Sequence, residues 1–272
     1  MNALARWIGI VALMAAGAGC VVSPGKHGVP PRHPLLIQAE QTLLQGDLER
    51  ALAEYRGYRA GFGGAADPFV GDCHYWEGTI HLEQGRHAEA EASFRACLAF
   101  PPRDEFLAVQ ASIGLGDVHF LRDRYRDAFE GYRRAIERAD AGAGATSGAR
   151  LDYALYRAGV SLQRLGAFKE GRAVLARCLR EHPRSPLRPR VEAHLAYGGD
   201  RFHIQAGAFD DVLEAQRQSA RANYFGYPAQ VFDSKTASAR YRVWVGEYAT
   251  YAAAAAEADR VKALLGDAQL VP

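Results

Sequence analysis

The sequence predicts two folded parts of different class, an all-α solenoid of paired antiparallel helices followed by a small α/β sandwich of β-α-β-β-α-β order. Three observations predict this. A set of small and aromatic residues recurs four times at fixed spacing between residues 35 and 197. After Gly198-Gly199-Asp200 the apolar period changes from 3.6 to 2. Two alternating runs, FHIQAGAF (202–209) and YRVWVGEY (241–248), then dominate the C-terminal part. A chain of 272 residues, 49% hydrophobic and 24% charged, suits two compact domains.

The first element is read as an address. Arg6 supplies a positive n-region, and Trp7 to Gly19 is an uncharged run of 13 residues. That is too short for a mature membrane span and fits the h-region of an export signal, residues 1–19. The run ends Gly17-Ala18-Gly19 and is followed by Cys20, which resembles the lipobox of bacterial lipoproteins, although Gly17 stands where that motif usually has leucine. The resemblance implies acylation of Cys20. Because Val21, not aspartate, follows it, the resemblance implies attachment at the periplasmic face of the outer membrane. Residues 20–34 then read as a Pro/Gly tether with no core of its own. Cys73, Cys97 and Cys178 remain. Cys73 and Cys97 come close if their helices form an antiparallel hairpin, and an oxidising compartment permits a bond; the reading favoured is three small buried hydrophobic residues.

Residues 35–197 carry the repeat. It runs Ala39, Gly46, Ala51, Tyr55, Tyr58; then Gly78, Gly85, Ala90, Phe94, Cys97; then Gly116, Asp123, Ala128, Tyr132, Ala135; then Gly159, Gly166, Gly171, Leu175, Cys178. Each copy steps by 7, 5, 4 and 3 residues. A small residue late in a first helix admits a second helix closely, a turn residue reverses the chain, and positions i, i+4 and i+7 then form one face of that second helix. Pro102 and Pro183 stop two of these helices. Helix pairs stacked on their neighbours make a solenoid, and residues 187–197 form a last helix over the open face. Gly61 to Gly64 and Ala141 to Gly148 are expected as loops. These spacings resemble tetratricopeptide repeats, most strongly in GTIHLEQGRHAEAEASFRACLAFPP, GDVHFLRDRYRDAFEGYRRAI and GVSLQRLGAFKEGRAVLARCLREHP. The resemblance implies a groove for a protein partner; the alternative is a spacer between membrane and wall.

Beyond the 198–200 hinge, residues 201–272 fall into order. Phe202 to Phe209 alternates as a strand. Asp210 and Asp211 open a helix to about Asn223, with acids at its positive end. Gly226-Tyr227-Pro228 turns into a strand at 229–232, and Tyr241 to Tyr248 makes a third strand. Thr250 caps a helix over 251–265 that Gly266 stops, and 268–271 is a last strand. Alternation puts Phe202, Ile204, Ala206, Val231, Val243 and Val245 under the helices. His203, Gln205, Phe232, Arg242 and Trp244 then share the uncovered face. FHIQAGAF, GYPAQV and YRVWVGEY, at these separations, resemble the SPOR (sporulation-related repeat) domain of bacterial envelope proteins. The resemblance implies that those five residues bind peptidoglycan, favouring glycan strands stripped of stem peptides, often at the division site.

Charge argues against nucleic acid. Residues 35–197 carry 22 basic and 22 acidic residues, and 201–272 carry 8 and 8, so neither part has the positive excess that phosphate binding uses. No Gly-rich phosphate loop, nucleophile elbow or paired catalytic carboxylates occur, and no cofactor is expected. His81 and His119 occupy one column of the repeat, with His74 on the helix of His81. None has metal-site spacing, and the expectation is packed or solvated side chains. The expected role is an adaptor rather than an enzyme.

Overall fold

A computed structural model describes residues 31–64, 67–100, 105–142, 148–196, 198–233 and 240–271. Residues 1–19, read as an export signal, Cys20 and Pro102 lie outside the described residues. Nine helices are described before the sheet: α1 Pro34–Leu44, α2 Leu48–Phe62, α3 Val70–Glu83, α4 His87–Ala99, α5 Glu105–Leu121, α6 Tyr125–Ala141, α7 Leu151–Arg164, α8 Phe168–Glu181 and α9 Arg188–Ala196. There follow β1 Phe202–Phe209, α10 Val212–Tyr224, β2 Ala229–Asp233, β3 Tyr241–Tyr248, α11 Tyr251–Leu265 and β4 Gln269–Val271. The architecture is therefore an all-helical repeat array and a small sheet-and-helix sandwich. The chain divides into two compact units between Ala154 and Leu155, so the last repeat is compact with the sandwich rather than with the first three repeats.

In the first unit, the repeated positions form the core. Ala39, Ala51, Tyr55, Tyr58, Ala90, Phe94, Cys97, Ala128, Tyr132 and Ala135 are all buried. The small residues admit close approach: a Cβ on Gly78 would lie 2.8 Å from the Phe94 ring, and one on Gly116 would lie 2.7 Å from the Tyr132 ring. The turn position has a positive φ in all four copies, at Gly46, Gly85, Asp123 and Gly166. Left-handed backbone suits glycine and is tolerated by aspartate, which explains the two residue types found there. Gly61 and Phe62 are the last residues of α2, and only Gly63 and Gly64 leave it. The expected loop is shorter because Phe62 rests against His33, with ring centroids 4.2 Å apart, and Tyr58 stacks behind it. Ala141 likewise closes α6, and residues 143–147 lie outside the described residues. Cys73, Cys97 and Cys178 are all buried.

The second unit holds the end of α7, then α8, α9 and the sandwich. Leu175, Cys178 and Val191 are fully buried, and His194 of α9 is bonded to Gln163 of α7 at 2.7 Å. The sheet has the order β2-β3-β1-β4, every neighbouring pair antiparallel. Helices α10 and α11 cover one face through Ile204, Ala206, Ala215, Ala222, Val243, Val245, Val261 and Leu265. Asp211 caps α10 by accepting from the amides of Leu213 and Glu214, and Thr250 caps α11 by accepting from Ala253 at 3.2 Å. Alternation breaks twice. The β1/β3 register slips between Phe202 and Ile204 and between Gln205 and Ala208. Gly246 and Gly207 sit at these slips with φ of 67° and 139°. A Cβ on either would strike the aromatic ring two residues on, Tyr248 or Phe209, at 2.6 Å. They are bulge glycines, and the aromatic folded over each needs the missing side chain.

Candidate functional site

The sheet face without helices collects all five predicted residues. Trp244 lies between two rings. Phe232 stacks on it with centroids 4.4 Å apart and planes 8° from parallel, and His203 with centroids 4.9 Å apart and planes 18° from parallel. The Nδ1 of His203 is 2.7 Å from the carbonyl oxygen of Gly246, to which it donates, so the bulge fixes the imidazole plane. Phe232 is 42% exposed, so the outer ring of this stack keeps apolar surface open to solvent. Trp244 also packs against a second apolar cluster of the unit, made by Phe168, Phe202 and Ala254.

Strand register places polar groups beside the stack. One row across the sheet reads Gln230, Trp244, Gln205 and Gln269, from β2 to β4. Gln205 points to the uncovered face as alternation requires, yet it is 7% exposed, because Trp244 and Gln269 flank it in register. None of the three glutamine side chains hydrogen-bonds to any described residue. The next row pairs Phe232 with Arg242 and Arg242 with Ala208. Gln230 and Gln269 escaped the sequence reading. The alternation that turns Phe232 outward also turns Gln230 outward, and 39 residues separate Gln230 from Gln269, the same offset as between Gly207 and Gly246. The missing signal was this duplication carried into the short last strand. The face can stack a flat apolar ring and offer amides to neutral polar groups, and it carries little charge.

In the first unit, α3 and α5 are buried along most of their lengths, polar residues included. The acids Glu77 and Asp117 are met from neighbouring helices, whereas Thr79 and Ser112 donate to carbonyls of their own helix. Arg59 donates to Glu77 at 2.7 and 3.0 Å. Asp117 accepts from the hydroxyls of Tyr132 and Tyr153 at 2.6 and 2.8 Å. Burial and the neighbouring Arg86 and Arg56 lower the pKa of His81, and burial and Arg124 lower that of His119. Both are packed, uncharged core histidines. Among the described residues no three His, Cys, Asp or Glu side chains gather to hold a metal, and no helix is long and apolar enough to cross a membrane.

Fold and face together define a binding protein, repeats joined to a ligand-facing sheet. Comparison with protein families makes this specific. The SPOR domain family matches residues 198–272, and tetratricopeptide repeat families match 71–104 and 153–185. The chain thus carries a SPOR domain, which implies peptidoglycan binding, and tetratricopeptide repeats, which imply interaction with protein; both are binding modules. Among solved structures, a crystal structure of MamA is 17% identical, with a TM-score of 0.47, covering 58% of this chain and 80% of that one. A crystal structure of YrrB, described as a TPR protein with an unusual peptide-binding site, is 17% identical, with a TM-score of 0.47, covering 72% of this chain and 81% of that one. No curated protein matches the chain.

Proposed function

We propose that this protein is an adaptor of a Gram-negative cell envelope. Its SPOR domain holds peptidoglycan glycan strands poor in stem peptides, and its repeats hold an envelope protein. A lipid on Cys20 attaches it to the periplasmic face of the outer membrane, and glycan binding concentrates it at the division site. The observation that carries this reading is the row Gln230-Trp244-Gln205-Gln269, in which amides with no internal partner flank an aromatic stack. A sugar ring has apolar C–H faces for the exposed Phe232 ring at the end of the Trp244 stack, and hydroxyl and acetamido groups for the glutamines. At about 0.5–1.5 kcal/mol for each hydrogen bond, a few such contacts and one stacked ring reach roughly micromolar affinity. The test is sedimentation of the mature chain with purified sacculi, before and after an amidase removes the stem peptides. More protein should pellet with stripped sacculi. Equal, negligible pelleting with both would end the proposal. For the anchor, Cys20→Ser should abolish fatty-acid labelling, and persistent labelling would overturn it.

A further inference from the structure

One group on the SPOR face is not suited to a neutral sugar. Arg242 is the second residue of β3, in register with Phe232 on one side and Ala208 on the other. Its Nε is buried and has no hydrogen-bond acceptor among the described residues. No carboxylate among them pairs with it. Asp233, one residue beyond Phe232 on β2, is held by Arg240 at 3.2 and 3.3 Å. Residues 234–239 between β2 and β3 contain no acid. The Arg242 side chain as a whole is only half-buried, so its terminal nitrogens, which have no acceptor among the described residues either, reach solvent, and a carboxylate is the partner that best matches them.

We propose that Arg242 recognises the free lactyl carboxylate of N-acetylmuramic acid, and so is the residue that tells stripped glycan from peptide-bearing glycan. This rests on the glycan reading above and specifies its chemistry. While a stem peptide is attached, the lactyl carbonyl is part of an amide and carries no charge. Hydrolysis of that amide adds water, frees the peptide amine and leaves one carboxylate on every muramic residue. Stripping the strand thus removes bulk and also installs a regularly spaced anion. Arg242 is the only Arg or Lys side chain among the outward positions of the four described strands, one row from the Trp244 stack that would hold a neighbouring ring.

The test uses the mature chain and three soluble ligands: stripped glycan oligomers with the lactyl acid free, the same oligomers with that acid converted to its primary amide, and oligomers of N-acetylglucosamine. The free-acid form should bind about tenfold tighter than the amide, the worth of one charge-assisted hydrogen bond. Arg242→Gln should collapse that ratio toward one, and Arg242→Lys should retain part of it. Circular dichroism and the melting temperature establish that the variants fold. Equal binding of acid and amide by the native chain would overturn the role of Arg242 while leaving glycan binding intact. Failure of the native chain to bind any of the three would instead strike the glycan reading itself. An acid-to-amide ratio that survives in Arg242→Gln would assign the carboxylate to another residue.

Discussion

Trp244 is the middle ring of a stack on the uncovered face of the sheet. Its ring is fixed by Phe232 and His203 on opposite faces, so little order remains to be imposed when a ligand arrives. Trp244→Ala and Gln205→Ala should each weaken sedimentation with stripped sacculi at least severalfold while the circular-dichroism spectrum stays native. Full binding by the double variant would move the site elsewhere. Alternation alone was enough to gather His203, Gln205, Phe232, Arg242 and Trp244, because a strand has only two faces and the helices claim one. It could not reveal how much of Gln205 its neighbours cover, since cross-strand register depends on bulges that single-strand periodicity does not encode. A second residue-scale expectation concerns acid. Burial, with Arg164 nearby, lowers the pKa of His194 to about 4, and burial, with Arg59 nearby, does the same to His74. Both are neutral when folded but take a proton near 6.5 when unfolded. Their contribution to stability is therefore complete above about pH 6.5 and is lost as pH falls toward 4. The melting temperature should drop over that window, and His194→Gln should make the drop shallower. An identical pH profile in the variant would assign the effect to other groups.

At the scale of the element, the helix pairs follow from a few small residues. Ala128 is fully buried at the start of α6, and Gly131 one turn on lies so close to Gly116 that a Cβ would sit 2.8 Å from the Gly116 Cα. Ala128→Leu should cost about 1–3 kcal/mol by overpacking, visible as a lower midpoint in urea and as reduced recovery of whatever protein the repeats hold. An unchanged midpoint would mean that the contact has slack. The pairing of these helices was legible because close approach demands Gly or Ala and a reversal demands Gly or Asp at one position. Where helices end was less legible. Gly61 looked like a loop residue, but α2 continues through it because Phe62 finds a partner in His33, a contact made across 29 positions of sequence that no local rule contains. The buried interior of α3 and α5 was hidden for a similar reason: Glu77 and Asp117 look solvated until Arg59, Tyr132 and Tyr153 are brought to them.

At the scale of the molecule, sequence and compactness divide the chain at different places. Family resemblance separates the SPOR domain at 198, whereas the compact unit reaches back to Leu155. The cause is the contact of the end of α7 and of α8 with the sandwich and the residues leading into it. Phe168 meets Phe202 at 5.1 Å between ring centroids, Arg164 lies 4.2 Å over the Tyr251 ring, and Arg172 donates to the Gly199 carbonyl at 3.0 Å. The hinge at 198–200 is thereby tied down. A fragment of residues 149–272 should unfold at higher urea than one of residues 198–272, by about 1–3 kcal/mol for burial of the Phe202 ring. Coincident unfolding curves would show that the aromatic contact adds nothing. A hinge is readable from Gly-Gly, but what its neighbours do to it is not.

The duplication within the sheet has a directional consequence. The 39-residue offset that relates Gly207 to Gly246 also relates Gln205 to Trp244 and His203 to Arg242. Because Gln205 lies directly opposite Trp244 in the antiparallel pair, an approximate twofold axis passes between them. The backbone pairing is nearly unchanged by that half-turn, but the side chains are not: Trp244 and Arg242 stand on one strand where Gln205 and His203 stand on the other. A polymer with unlike ends, laid across this face, would meet different chemistry in its two orientations. The face therefore has a polarity that its backbone lacks, and such a polymer should lie on it one way round.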